Sequence, residues 1–322
     1  MPHRTILLAE ETWIAARALG AWLDAGQEVA EVWIGSGSSL GKPLRQPLAL
    51  AFPDWSVRKI IRRRGIPVHN GPRLRAWPEA SARAAALGAD SLLNLLGLQI
   101  IPKPLLDHFA GRAINVHPAL LPRYRGPCPR LAMLVDGRDA EAGGVCMHLL
   151  SEAIDEGAIL GDRSVPFPAS GGYSEWDARL ADAAADLIRA AAIPYLDGRL
   201  RPYPQDESLA SYRKPVPGEL DIGPTTSLAH ARRLVETLGR VGRLVCTPTA
   251  DASRRRSFHV TAIDRTLGEP TGQPARVTWR AVELDLVDAR VRLRRRGFDE
   301  RVRELGHAIS ALRRRTRLPT HA

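Results

Sequence analysis

The chain has 322 residues, 44% of them hydrophobic and 25% charged, and a formal net charge of +11. That length suits two domains, and the composition excludes a disordered chain as the default. No apolar stretch approaches the ~20 residues of a membrane span, and the short apolar run in MPHRTILLAE does not make a secretory leader, so a cytoplasmic protein is expected.

The charge is unevenly placed. From Thr226 onward there are 21 Arg or Lys and 10 Asp or Glu, whereas the first 225 residues hold 25 of each. A basic C-terminal third suits an anionic partner, nucleic acid or phosphate; solvated arginine faces are the bland alternative. Cys128, Cys146 and Cys246 are an odd number without zinc-type spacing and read as reduced thiols.

In chain order, Thr5 to Ala9 reads as a buried strand, and Glu11 to Ala25 as a helix with Ala15, Leu19 and Leu23 on one face and Gly26 closing it. Val29 to Ile34 alternates like a strand. Residues 35–55 read as a loop-rich insertion, Ser56 to Arg64 as a basic helix and Ile66 to His69 as a short strand. A helix from Ala80 to Gly88 leads into Ser91 to Leu96, a continuous apolar run of the kind found in central parallel strands. Pro104 to Phe109 reads as a helix and Ala113 to His117 as the next strand. Strand and helix alternate throughout, which predicts a doubly wound, mostly parallel α/β sheet.

Further on, Leu131 to Val135 is helical, and Gly144 to Leu150 and Ala158 to Val165 are strand candidates. Ser174 to Leu196 reads as a long alanine-rich helix with Ser174 as N-cap. Residues 201–225 are rich in Pro and Gly and read as a linker. Thr226 to Leu238 is helical, and five short strands follow at Arg243–Thr247, Phe258–Asp264, Ala275–Trp279, Ala281–Leu286 and Val291–Arg294, predicting a small barrel-like domain. The expected division is a catalytic domain over 1–200, a linker over 201–225, a basic β-rich domain over 226–311 and a frayed arginine-rich tail over 312–322.

Two features mislead. IGSGSSLGKP has five residues between Gly35 and Gly41, and Pro43 follows Lys42, so it fails the phosphate-loop count. Leu40 stands where a dinucleotide-binding loop needs its third glycine. The nine histidines show no HExxH or paired metal spacing, no metal is expected, and His3, His69, His108 and His148 stay unassigned.

The stretch AINVHPALLPRYRG, Ala113 to Gly126, is where chemistry concentrates. Asn115 and His117 are two apart and share one face of a strand. They stand at its carboxyl end, where α/β sheets bind ligands, and Pro118 stops the ladder. An amide can hold an oxyanion and an imidazole can polarise it or take a proton; both can equally cap a strand end. Asp155, in SEAIDEGAIL, is a carboxylate or a turn former. Arg123 and Arg125 either meet an acceptor phosphate or cover the apolar turn.

NVHPALLPRYRG resembles the signature of the folate-dependent formyltransferases: Asn-x-His, a Leu-Leu-Pro turn and an Arg-Gly pair. Asp155 and Gly157 match that family's later aspartate before a glycine, and GLQIIP resembles the segment that walls its pterin pocket. SYRKP, Ser211 to Pro215, and the β-rich C-terminal third resemble the methionyl-tRNA branch and its sugar-modifying relatives. The resemblance implies 10-formyltetrahydrofolate as donor, no metal, and an amine acceptor that attacks the formyl carbon. Asn115 would hold the oxyanion with His117 beside it, and Asp155 would orient His117 and relay the amine proton. Gly97, Leu98, Gln99, Ile100, Ile101, Pro102, Ile154 and Gly157 would line the folate site, and Arg123, Tyr124 and Arg125 the acceptor side.

Departures from the methionyl-tRNA pattern point to a diverged relative. The family's opening after the first strand is Gly-Thr-Pro-Glu-Phe, and this chain has AEETWIA. Its Arg-Gly-Ala-Ala-Pro becomes Arg125-Gly126-Pro127-Cys128-Pro129, and its Gly-Arg-Gly-Lys-Lys loop is faintly echoed around Lys42. A small-molecule amine is therefore the expected acceptor, an amino-sugar nucleotide or an amino-acid amine. Initiator methionyl-tRNA, bound through the basic C-terminal domain, is the alternative. A 10-formyltetrahydrofolate hydrolase is less expected, because its extra regulatory domain has no counterpart ahead of Thr5; so is a folate-binding module without catalysis. Neither the oligomeric state nor the role of residues 35–55 follows from the sequence.

Overall fold

The computed structural model describes residues 1–35, 38–41, 51–169, 172–214, 218–239, 244–249 and 256–316. Lys42 and Arg45, and the end of the expected tail beyond Thr316, lie outside the described residues. The chain forms two compact units: one from residues 1–130, 141–166 and 177–213, the other from 131–140, 167–176 and 214 onward. Among the described residues no helix is long and apolar enough to cross a membrane.

The first unit is built on a seven-stranded sheet: β1 (Arg4–Ala9), β2 (Glu28–Ile34), β3 (Val68–Asn70), β4 (Ser91–Leu95), β5 (Ala113–His117), β6 (Gly144–Leu149) and β7 (Ile159–Ser164), in the order β3-β2-β1-β4-β5-β6-β7. The first five are mutually parallel; β6 is antiparallel to β5, and β7 is antiparallel to β6. Helices cover both faces of the parallel part, which is why Ile6, Leu7 and Leu8 are all buried and the strand reads as an unbroken apolar run. The chain leaves β1 toward β2 and returns beyond it to β4, so the strand order reverses between β1 and β4, the place where such sheets open a crevice. The helix Trp13–Asp24 starts at Thr12, whose hydroxyl accepts from the Ala15 N–H at 3.1 Å, and Gly26 takes the left-handed φ of +76° after it.

Three expectations are corrected here. Ser174 is not an N-cap, because the helix begins earlier, at Gly172, and runs to Leu187. It then opens into a π-turn at Ile188–Ala192 before Ile193–Leu196; Pro194 lacks the N–H that a regular turn needs. Residues 203–213 belong to the first compact unit and bond to its loops, so they do not form a free linker. The expected frayed tail is helical through Thr316, as the last turn of the helix Phe298–Thr316. Ala311 and Leu312 are buried there, and Arg315 pairs with Glu175 at 2.9 Å.

The second unit carries the expected short strands plus one more, β8 (Asp221–Ile222). With β9 (Val245–Cys246), β10 (Phe258–Gly268), β11 (Arg276–Val277), β12 (Ala281–Asp285) and β13 (Arg290–Arg295), they form a sheet in the order β11-β12-β13-β10-β9-β8. β10 pairs with β9 at its start and with β13 along the rest, with three register shifts. Such bulges let one long strand turn a corner in a barrel-like sheet.

Candidate active site

Three polar side chains stand in a row across the middle of the first sheet. Asn94 on β4 pairs in register with Asn115 on β5, and Asn115 with His148 on β6. All three are buried, so each needs a partner. Gly97 N–H donates to Asn94 Oδ1 at 3.0 Å, Asn94 Nδ2 donates to Asn115 Oδ1 at 2.9 Å, and Asn115 Nδ2 donates to His148 Nε2 at 2.9 Å. At the far end His148 Nδ1 donates to the Leu149 carbonyl at 2.8 Å. A backbone N–H at one end and a backbone carbonyl at the other permit only this direction. The Asn115 amide nitrogen is therefore the donor facing the site.

His117, also buried, follows two residues later on the same face. Its Nε2 lies 2.9 Å from the Tyr124 carbonyl and must donate to it. In the neutral ring Nδ1 is then the basic nitrogen, and it faces Asp155 Oδ2 at 3.5 Å, an electrostatic contact rather than a hydrogen bond. Burial holds the His117 pKa below its ordinary value; the Asp155 charge opposes this and His148 reinforces it.

Asp155 sits in the turn between β6 and β7 with a left-handed φ of +57°. Its Oδ2 accepts from the Gly126 N–H at 2.8 Å, and its Oδ1 meets Asn115 Nδ2 at 3.4 Å and His148 Nε2 at 3.5 Å. Burial alone would raise its pKa, but His117, His148 and the Gly126 N–H more than offset that and hold the carboxyl well below the usual range. Gly157 is required: a Cβ there would stand 1.8 Å from the Leu149 carbonyl oxygen.

The structure thus brings Asn115, His117 and Asp155 together. In the segment Gly97 to Pro102, Gly97 anchors Asn94 and Gln99 accepts from the Leu74 N–H at 2.9 Å. Leu98 and Ile100 are exposed, Ile101 is buried, and Pro102 precedes the helix Lys103–Phe109. Ile154, beside Asp155, is exposed as well. The acceptor role expected for Tyr124 and Arg125 does not fit. Tyr124 is buried and presents its carbonyl to His117; Arg125 is 6% exposed, with its guanidinium spent on Gln205 and Glu207. Arg123 is half-buried, and its backbone N–H bonds to the Leu120 carbonyl.

Sequence reasoning missed Asn94 and left His148 unassigned. Asn94 carried a signal, an amide inside an otherwise apolar strand. His148 carried none without the β5–β6 register. Upstream of the site, Glu10 and Glu11 tie down the segment after β2: the Ser39 N–H donates to Glu10 at 2.6 Å, and the Ser56 hydroxyl and Arg58 N–H donate to Glu11 at 2.6 and 3.0 Å.

A doubly wound sheet that gathers an amide, an imidazole and a carboxylate at the carboxyl edge of its strands defines an α/β protein with a polar cluster where such sheets bind ligands. The family model described as formyl transferase matches residues 61–191, which include all three groups. The chain is 32% identical over 191 residues to a methionyl-tRNA formyltransferase of Levilactobacillus brevis, covering 57% of this chain and 58% of that one. It is 36% identical over 148 residues to one of a Synechococcus strain, covering 46% and 45%. The chain thus spans about half the length of the curated relatives it matches. Among solved structures, an N-formyltransferase from Helicobacter canadensis, in complex with folinic acid and dTDP-3-aminofucose, shares the fold with a TM-score of 0.60 at 13% identity, over 92% of this chain and 99% of that one. HypX from Aquifex aeolicus does so with a TM-score of 0.59 at 14% identity, over 91% of this chain and 45% of that one.

Proposed function

We propose that this protein transfers a formyl group from 10-formyltetrahydrofolate to a primary amine on a small molecule. The observation that carries this reading is the state of Asn115. One of its amide hydrogens is spent on His148 at 2.9 Å, and the other meets only Asp155 Oδ1, at 3.4 Å. That second hydrogen is the donor left for an oxyanion. Neutral His117 takes the proton of the attacking amine at Nδ1, and ionised Asp155 steadies the imidazolium that results. The residues around this centre fit the folate. Leu98 (73% exposed), Ile100 (43%) and Ile154 (45%) are apolar side chains left open beside buried polar groups, a surface suited to a flat heteroaromatic ring. The folate, when bound, supplies an activated formyl carbon.

A cleft of about 380 Å³ opens at the carboxyl ends of β1 and β4 and is lined by Leu8, Trp33, Leu74, Leu98 and Ile100 among others, so it continues the folate surface. That volume is in the range of small-molecule sites. A small acceptor is supported by the structural neighbour solved with folinic acid and an amino-sugar nucleotide. A second reading, initiator methionyl-tRNA as acceptor, is favoured by the relatives of that name and by the basic C-terminal third.

The test is to incubate the protein with formyl-labelled 10-formyltetrahydrofolate and, in parallel, amino-sugar nucleotides, free amino acids and charged initiator methionyl-tRNA. Label on a small amine supports the proposal. Label on the tRNA at an ordinary enzymatic rate replaces it with the second reading. Formate release in every arm, with no acceptor labelled, makes the protein a hydrolase.

A further inference from the structure

Residues 203–213 run along the turn that carries Asp155 and the Tyr124–Gly126 loop that bonds to His117 and Asp155. At one end Tyr203 and Ile159 of β7 exchange backbone hydrogen bonds of 2.7 and 2.9 Å. At the other, Ser211 accepts from the Arg125 N–H at 2.8 Å through its carbonyl and from the Tyr124 N–H at 2.9 Å through its hydroxyl. Gln205 lies between these anchors. Its Nε2 donates to the carbonyls of Asp155 and Gly157, both at 2.8 Å. Its Oε1 accepts from Arg125 Nη2 at 2.8 Å and Nε at 3.2 Å. Both hydrogens and both lone pairs of one amide are thus shared between the Arg125 loop and the Asp155 loop.

We propose that Gln205 is a positioning residue, which clamps the Asp155 turn to the Arg125 loop and so holds the Asp155 carboxylate against His117 and Asn115. The turn needs a clamp. Asp155 occupies left-handed backbone space with φ at +57°, where a non-glycine residue is held only by its surroundings. One of the two carbonyls that Gln205 grips is Asp155's own and the other is that of Gly157 two residues on, so Gln205 fixes the turn on the C-terminal side of the Asp155 Cα. Arg125, itself buried, also pairs with Glu207 at 3.0 Å. The Gly126 N–H that binds Asp155 Oδ2 follows directly on Arg125. The carboxylate is therefore held twice from one loop, once at its oxygen and once through its backbone.

The kinetic consequence rests on the formyl-transfer reading above. Displacing Asp155 changes the reacting geometry, whereas Leu98 and Ile100 of the folate surface stand on another segment, so kcat falls far more than KM rises. Gln205→Ala and Gln205→Glu are compared. Glutamate keeps the length and the acceptor for Arg125, but it loses the donor and faces two carbonyls with a negative charge. Both variants are expected to lose about 100-fold in kcat, the cost of an ångström-scale misplacement, with KM for 10-formyltetrahydrofolate changed less than about threefold. The acid limb of the rate is expected at lower pH in both. In an Asp155→Asn background Gln205→Ala is expected to cost nothing further, as for two residues acting through one group.

A wild-type rate for Gln205→Glu overturns the clamp, and so do losses that multiply in the double variant. Titration of the His117 imidazole by NMR in wild type and Gln205→Ala gives an arm that needs no acceptor. A downward shift in the variant supports the clamp and an unchanged value overturns it. Absence of transfer in the wild type overturns only the formyl-transfer reading.

Discussion

Asn115 and His148 face each other across β5 and β6, and the Asn115 amide donates to the imidazole over 2.9 Å. Because His148 Nδ1 is bound to the Leu149 carbonyl, its other nitrogen has only a lone pair to offer, and that lone pair sets which way the Asn115 amide faces. His148→Leu removes the acceptor and leaves the amide free to turn. The expected result is a loss in kcat approaching 100-fold with folate affinity kept, and partial recovery in His148→Gln, whose side-chain oxygen can accept in the same place. Single-turnover formyl transfer beside a folate-binding titration measures both.

Removing the donor itself costs more. Asn115→Ala is expected to lower kcat by about 100- to 1,000-fold, the usual effect of deleting one oxyanion donor. It also leaves Asn94 Nδ2 and His148 Nε2 without the partners they have at 2.9 Å, so about 1–3 kcal/mol of stability is lost as well. Rates measured far below the unfolding midpoint, together with a urea titration, separate the two effects.

Legibility in the sequence followed the range over which each signal acts. The parallel strands announce themselves because both faces are covered, so Ser91–Leu95 is a compact apolar run. Asn115 and His117 stand out because polar groups at the end of such a strand conflict with their burial. Asn94 breaks the apolar run of its strand in the same way, but its partner Asn115 is 21 residues away, so the signal does not say what it bonds to. His148 meets Asn115 only through an antiparallel register between residues 33 apart, and no local pattern encodes that. Gln205 lies in a Pro- and Gly-rich stretch that reads as a linker, since its partners are a backbone 50 residues away and an arginine 80 away. β10 is longer than its alternation predicts because three register shifts interrupt the period. Helix ends with a cap, as at Thr12 and Gly26, fall within two residues of their expected places.

The pH dependence follows from two depressed pKa values. The folded-state pKa of His117 lies below its ordinary value of about 6.5, with burial as the main cause. Between those two values the unfolded chain binds a proton that the folded chain refuses, so stability is full above about pH 6.5 and declines as the pH falls through the folded pKa. Asp155 is depressed as well, burial being outweighed by His117, His148 and the Gly126 N–H, and its contribution is lost below about pH 4. As the base of the reaction, His117 places the acid limb of the rate below about pH 6.5. Asp155→Asn removes a charge that raises the His117 pKa, so the acid limb is expected to move to still lower pH. A limb moving upward in that variant contradicts the assigned pairing.

Gly157 tests how tightly the turn that carries Asp155 is built. A Cβ at Gly157 would stand 1.8 Å from the Leu149 carbonyl oxygen and 2.7 Å from its carbon. These are backbone atoms of β6, tied further by the Leu149 N–H to the Ala158 carbonyl at 2.9 Å, so they cannot step aside as a flexible side chain would. Gly157→Ala is expected to cost about 1–3 kcal/mol of stability and, by moving the turn, to lower formyl transfer at temperatures where the protein is still folded. Gly26→Ala is the matched control. Its Cβ meets nothing within 4 Å, although its φ is +76°, so it carries the left-handed penalty of about 1–2 kcal/mol far from the site and is expected to keep the wild-type rate. If the two variants lose similar stability but only Gly157→Ala loses rate, the turn's geometry, and not the fold's margin of stability, controls the chemistry. Equal rates in the two variants mean that the Asp155 turn tolerates displacement and that His117 works without its close support.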